Sequence, residues 1–314
     1  MGASKVRAAV FRASPRSLRV ELLALREAPF PAWGSPGRLA AELLAEAAGE
    51  AGADRLEAVG VASIGPLDYA EGWVRGAPNA PVREFPLRRP IEEALGAPVV
   101  LENDVNAAAW GEYLLARRRG PRSLVFVAVG TGIGAGVVVG GRILRGPRGL
   151  AGEAGHIVVD PWSGVRCGCG GLGHWEALAS GSRLPQAAVR LASSWRGPET
   201  PASREASRGR LGYPELARAL QGGDPFARHL LGWLARVHAA GLATLTAAYD
   251  PDVIVVGGGA ALGVWEHLAE PLDRAYRELA PYGRAAPVKP ATYGRLAGLY
   301  GALALALSAP ETCG

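Results

Sequence analysis

The 314-residue chain is 49% apolar and 20% charged, a globular composition long enough for two domains that each bury a core, so extensive disorder is excluded. Its positive side chains are almost wholly arginine, Lys5 and Lys289 being the only lysines, and the net charge of +5 is read as the bias of a GC-rich genome in preference to nucleic-acid binding, so no nucleic-acid partner is expected. Three cysteines cannot form a fully paired disulfide framework, which points to a reducing, cytoplasmic home.

The opening reads as a turn, a strand from Val6 to Phe11, a loop and a second strand from Leu18 to Arg26. Residues 36 to 52 carry apolar positions at helical spacing, and Leu56 to Ile64 supplies the next strand, ending in Gly65 and Pro66, a β-α-β progression. After a proline-rich loop from Asp68 to Pro90 come a short helix and the strand APVVLEN. Asn103 and Asp104 close that strand and open the helix DVNAAAWGEYLLARRR, whose basic end, Arg117 to Arg119, complements the helix dipole. A carboxylate at the carboxyl end of a buried strand lies at the edge where α/β proteins bind ligands, yet Asp104 is equally placed to cap the helix. The residues alone leave both readings open.

Leu124 to Gly141 carries no charge and is long enough to raise a membrane helix, but its glycines divide it into two valine-rich strands joined by a turn, so no membrane partner is expected. That turn, Gly130-Thr131-Gly132-Ile133-Gly134, has the make-up of a phosphate loop, in which successive backbone N–H groups can face anionic oxygens. A plain structural hairpin would look the same. The strand behind it excludes the Rossmann and Walker A arrangements, which require a helix and a Gly-Lys-Ser/Thr ending respectively.

From Glu153 to Glu176 the chain is dense in chemistry. His156, Cys167, Cys169 and His174 are four ligands suited to tetrahedral zinc, and Glu153 and Glu176 are left over for a polar ligand. Residues 177 to 249 read as helical apart from a polar loop near 196 to 212. A last strand, Asp252 to Val256, runs into Gly257, Gly258 and Gly259, and the segment from Arg295 to Leu307 is a small-residue helix too short to span a bilayer comfortably.

Taken in order, the stretches GVASIGPLD, APNAP, LENDVNAAAWGE, AVGTGIGAGVVVGGRILRG, GLAGEAGHIVVDP, CGCGGLGHWEALASG and DPDVIVVGGG resemble the ROK family of sugar kinases, whose members include bacterial glucokinases and N-acetylhexosamine kinases. The resemblance spans most of the chain. It implies an α/β fold of the actin-like, ribonuclease H-like type, with two domains and an interdomain cleft. The expected division is residues 1–118 with 295–314 as the smaller domain, and 119–294 as the larger, carrying the zinc loop and the helical insertion.

By that resemblance Asp104 is the catalytic carboxylate that accepts the proton of a sugar hydroxyl attacking the γ-phosphate of ATP. Asn103, Glu153, His156 and Glu176 would hold other hydroxyls, with Gly65 and Asn79 in the same pocket. Gly130, Thr131, Gly132 and Gly134 would receive the ATP phosphates with Mg²⁺, and Gly257, Gly258 and Gly259 would lie against the adenosine. Zinc in this family is structural and held by one histidine and three cysteines; here His174 stands in the third cysteine's place. The family also opens with a strand and an Asp-x-Gly-Gly-Thr-Lys loop, of which Met1 to Lys5 resembles the tail. Ser4 and Lys5 are therefore expected at the phosphates, and the natural start is expected upstream of Met1.

Glucose is the first substrate expected, with N-acetylmannosamine or N-acetylglucosamine as the alternative, since one Glu-x-Gly-His frame serves them all. An alternative of another class is a non-catalytic sugar-binding or regulatory ROK protein, although the family's repressors carry a helix-turn-helix domain for which there is no room ahead of Val6. A homodimer or homotetramer is expected, and no role is expected for Cys313.

Overall fold

A computed structural model of the chain describes residues 1–2, 4–13, 19–77, 80–116 and 120–308. It divides into two units, Met1–Gly120 with Ile143–Ala151 and Leu296–Gly314, and Pro121–Arg142 with Gly152–Arg295. The short return of Ile143–Ala151 to the first unit has no signature in the sequence.

In the first unit β1 (Lys5–Ala13) and β2 (Val20–Pro29) form an antiparallel ladder. Val6, Ala8 and Val10 are buried at every second position, the pattern of a strand with one covered face. The helix α1 (Pro36–Glu50) packs on that ladder and starts at Ser35, whose hydroxyl accepts from Arg38 N–H at 3.3 Å. The strand β3 (Val59–Ser63) is followed by the short strands β4 (Leu67–Asp68), β5 (Trp73–Val74) and β6 (Phe85–Pro86), then α2 (Arg88–Leu95). The strand β7 (Val99–Asn103) runs parallel to β3, with Ser63 opposite Asn103. Among the described residues these two ladders share no strand; the Met1 carbonyl accepts from Ile64 N–H at 3.1 Å.

The helices α3 (Asp104–Ala116) and, late in the chain, the 297–307 helix are apolar around most of their circumference, as enclosed helices must be. They cross at glycines. A Cβ on Gly111 would lie 3.0 Å from Gly301 Cα, and one on Gly301 would lie 2.4 Å from the Ala107 carbonyl. Trp110 Nε1 reinforces the crossing by donating to the Ala304 carbonyl at 3.2 Å and Ser308 Oγ at 3.1 Å.

The second unit is built on a five-stranded sheet of β8 (Ser123–Val129), β9 (Ile133–Val139), β10 (Arg142–Ile143), β11 (Val253–Gly257) and β12 (Val288–Pro290), ordered β10-β9-β8-β11-β12. The hairpin expected from the glycine turn is present: β8 and β9 are antiparallel and close at Val129 and Ile133. Leu124 to Val127 are all buried, as in a strand covered on both faces. The helices are α4 (Trp175–Ala179), α5 (Leu184–Ser194), α6 (Pro201–Ser207), α7 (Tyr213–Gln221), α8 (Pro225–Tyr249), α9 (Gly259–Gly263) and α10 (Trp265–Leu279), with α11 (Ala297–Leu307) returning to the first unit. The loop expected near 196 to 212 contains α6. Thr200 and Ser203 exchange side-chain to backbone hydrogen bonds at 3.0 and 2.8 Å and Pro201 occupies the first turn, so a capping box holds a helix where polar composition suggested none. Arg117 to Arg119 and Cys313 lie outside the described residues. No helix of the described residues is long and apolar enough to cross a membrane.

The glycine crossing sets a stability test with opposite signs on one helix. Gly301→Leu forces two backbones apart and is expected to lower the unfolding free energy by about 3 kcal/mol. Gly298→Ala, where an added Cβ meets nothing within 4 Å, is expected to raise it by roughly 0.5–1 kcal/mol through the unfolded chain. Urea unfolding midpoints of the two variants check both.

Candidate functional site

In the first unit the parallel register of β3 and β7 brings their carboxyl ends side by side. A Cβ on Gly65, just past β3, would stand 3.5 Å from Asn103 Nδ2, so these two predicted residues are neighbours. Asn103 Oδ1 accepts from the N–H groups of Val105 at 3.0 Å and Asn106 at 3.3 Å, which is the geometry of a helix N-cap. The capping oxygen is therefore Asn103's, and Asp104 stands half-buried in the first turn of α3. Asn79 lies outside the described residues. Ser4 is exposed, and the Lys5 ammonium is ion-paired with Glu27 across the β1–β2 ladder.

Behind Asn103 stands a group that sequence reading passed over. The Glu102 side chain is 0% exposed. Burying a carboxylate without partners is strongly unfavourable, and here every oxygen is engaged. Oε1 accepts from Tyr69 Oη at 2.6 Å, Asn103 N–H at 2.9 Å and Asn106 Nδ2 at 3.2 Å, and Oε2 accepts from Arg145 Nε at 2.6 Å. Burial, and then the Glu102 charge, raise the Tyr69 phenol above its ordinary value. A charged residue inside the apolar run VVLEN was the available signal for Glu102; Arg145 had none.

In the second unit the glycine turn is held by two segments. The carbonyls of Gly130 and Thr131 accept from Gly181 N–H at 2.8 Å and Ser182 N–H at 3.1 Å, and Glu176 Oε2 accepts from Ile133 N–H at 3.0 Å. Gly130 N–H bonds to the Gly132 carbonyl at 2.9 Å, and Gly134 lies in the β8–β9 ladder opposite Ala128. A Cβ on Gly132 would fall 2.4 Å from Glu176 Oε2 and would displace that carboxylate from its bond to Ile133 N–H. Gly257 and Gly258 are required for packing, since added carbons would meet the Phe126 ring at 2.4 Å and the Val129 carbonyl at 2.2 Å. Gly259 begins α9 and is exposed.

Four predicted metal ligands converge in the same unit. One ligand atom each from His156, Cys167, Cys169 and His174 lies within 4.8 Å of the other three. His156 Nδ1 stands 3.8 Å from Cys167 Sγ, and His174 Nδ1 stands 3.2 Å from Cys169 Sγ. Tetrahedral zinc with ordinary Zn–N and Zn–S bonds places its ligand atoms about 3.3–3.8 Å apart, so this donor set fits that ion after a small contraction. The other ring nitrogen of His156 faces Glu153, Nε2 lying 4.0 Å from Oε2.

Beneath His174 and Glu176, the intervening Trp175 is fully buried. Its Nε1 donates to His238 Nδ1 at 3.0 Å; His238 Nε2 lies 3.3 Å from Tyr213 Oη, which donates to the Ala179 carbonyl at 2.9 Å. Burial pushes the His238 imidazole down to about 4 and raises the Tyr213 phenol.

A model of the ROK family matches residues 1–309 of the chain. The glucokinase of Aeropyrum pernix is 45% identical over 260 residues, covering 82% of this chain and 81% of that protein. Among solved structures, the ROK hexokinase from Thermus thermophilus matches with a TM-score of 0.81 and 40% identity, over 99% of this chain and 97% of that one. The ROK family glucokinase from Streptomyces griseus, solved in complex with glucose and AMPPNP, gives 0.75 at 33% identity, over 98% and 97% of the two chains. The α/β fold is accordingly the actin-like two-domain fold of ROK sugar kinases.

The buried imidazole carries a pH signature. The unfolded chain takes up this proton near pH 6.5 and the folded one only near pH 4, so its contribution is intact above pH 6.5 and declines as pH falls toward 4. Urea unfolding of the wild type between pH 6.5 and 4.5 is expected to show a steeper loss of stability than that of His238→Gln. Equal slopes would remove His238 as the cause.

Proposed function

The chain belongs to the ROK family, and from that premise we propose that it transfers the γ-phosphoryl group of ATP to a hexose hydroxyl, with glucose the first substrate and glucose 6-phosphate the product. The observation that carries the reading is the likeness, over most of both chains, to a protein named as a glucokinase.

In this reading Asp104 accepts the hydroxyl proton as the sugar oxygen bonds to the γ-phosphorus and the bond to ADP breaks. Phosphoryl transfer passes through a loose transition state, so placement and charge neutralisation do most of the work and the carboxylate needs no unusual basicity. Asn103, Glu153, His156 and Glu176, with Gly65 and Asn79, are assigned to the remaining hydroxyls. The capping bonds occupy Asn103 Oδ1, which leaves Nδ2, beside Gly65, as the donor. Ile133 N–H uses Glu176 Oε2, which leaves Oε1 as the acceptor. Gly130, Thr131, Gly132 and Gly134, with Ser4 and Lys5, are assigned to the ATP phosphates, and Gly257, Gly258 and Gly259 to the adenosine. Bound Mg²⁺ would supply positive charge at the phosphates.

His156, Cys167, Cys169 and His174 are assigned to a structural Zn²⁺, which would brace the loop that carries the sugar ligands. With Nδ1 on the metal side, His156 keeps Nε2 for the sugar. A homodimer or homotetramer working in the cytoplasm completes the proposal.

Asp104→Asn is expected to lower kcat at least 10²-fold, the scale of a lost general base, with the glucose KM little changed. ADP release measured across glucose, N-acetylmannosamine and N-acetylglucosamine checks both activity and substrate, and wild-type turnover by Asp104→Asn would refute the assignment. Metal analysis of the purified chain is expected to find about one zinc ion, lost in Cys169→Ala.

A further inference from the structure

We infer that His238, on α8, is a positioning residue of the sugar site: it holds α4 at both ends through Trp175 and Tyr213 and so fixes the stance of His174 and Glu176. The inference rests on the assignment of Glu176 to the sugar made above.

The helix α4 is only five residues long, too short to be stable by itself, and its N-cap His174 makes no side-chain capping bond. Its position must therefore come from packing and from bonds made by its neighbours. Trp175 is its first residue and Ala179 its last. The hydrogen-bond chain between them has one self-consistent direction. An indole N–H can only donate, so His238 Nδ1 must accept, and the imidazole proton sits on Nε2. That proton points to Tyr213 Oη, whose own hydrogen goes to the Ala179 carbonyl. No donor or acceptor in the chain is left over.

All the groups in it are buried, where such bonds are strong and an unpaired partner is costly. The depressed basicity of His238 keeps the ring neutral at pH 7, as the pattern demands. The facing surface of α8 is shaped for the same contact: a Cβ on Gly241 would fall 2.4 Å from the Trp175 ring. Trp175 thus fills a slot of fixed shape, and the imidazole sets the in-plane rotation of the indole within it. The next residue, Glu176, carries that rotation to the carboxylate beside Ile133. A purely structural core would ask only for a side chain of this volume.

Steady-state kinetics with glucose and ATP, with hydrogen exchange of residues 174–181, test this in the full chain. His238→Phe keeps an aromatic ring, somewhat larger than the imidazole, and removes both bonds; it is expected to raise the glucose KM about tenfold, while kcat and the ATP KM stay within about threefold. It should also speed exchange in 174–181. His238→Gln, which offers one acceptor and one donor, is expected to restore most of the sugar affinity. Should His238→Phe fail to fold, Tyr213→Phe is expected to show a smaller rise in the same parameter. An unchanged glucose KM in the folded His238→Phe variant, or an equal loss in His238→Gln, would overturn the inference while leaving the kinase reading intact. If the wild type phosphorylates no sugar, the kinase reading fails separately, and unchanged exchange at 174–181 in the variant overturns the positioning role.

Discussion

The hydrogen bond from Ile133 N–H to Glu176 Oε2, 3.0 Å long, is the constraint around which the second unit's site is assembled. It ties the glycine turn of the β8–β9 hairpin to the helix that follows the Cys/His loop. The carboxylate lies against Gly132, so a side chain there would have to push it off the turn. Gly155 is wedged against backbone, an added carbon falling 2.2 Å from the Ile133 carbonyl and 3.2 Å from Glu176 Cβ. The turn, the 153–156 segment and α4 are thus one packed piece, and the four clustered Cys/His side chains sit on its margin. Of the glycines that resemble a phosphate loop, Gly132 is crowded by Glu176 before any ligand is considered, whereas a Cβ on Gly130 would meet nothing within 4 Å.

The first unit solves a similar problem with a buried charge. Glu102 is held by donors from Tyr69, Asn103, Asn106 and Arg145, reaching it from four directions. A carboxylate satisfied in this way is a rigid anchor, because moving it would strand several donors in a dry environment. It stands directly before Asn103, whose own oxygen caps α3. The half-buried Asp104 is therefore presented by a strand end fixed from behind and a helix start fixed from within.

What could be read from the sequence was what local spacing encodes. The β-α-β opening, the glycine hairpin and the Cys/His quartet each lie within a short window, and each is present in the structure. What could not be read depends on contacts between distant positions or on signals outweighed by composition. Arg145 reaches Glu102 from 43 residues away, and nothing in its neighbours marks it. His238 lies on the apolar stripe of α8 and looks like any core residue until Trp175 is placed against it. The helix α6 had its capping box written as Thr200-Pro201-Ala202-Ser203, but the surrounding arginines and serines suggested a loop. At Asp104 the two sequence readings were not exclusive in their physics: a strand-to-helix junction needs a cap, and the neighbouring asparagine supplies it.

Phosphorus NMR of the purified chain with ATP, Mg²⁺ and glucose shows directly whether this fold moves a phosphoryl group from ATP to glucose. A glucose 6-phosphate resonance is expected to grow in step with ADP. ADP accompanied only by inorganic phosphate, or no consumption of ATP at all, would contradict it.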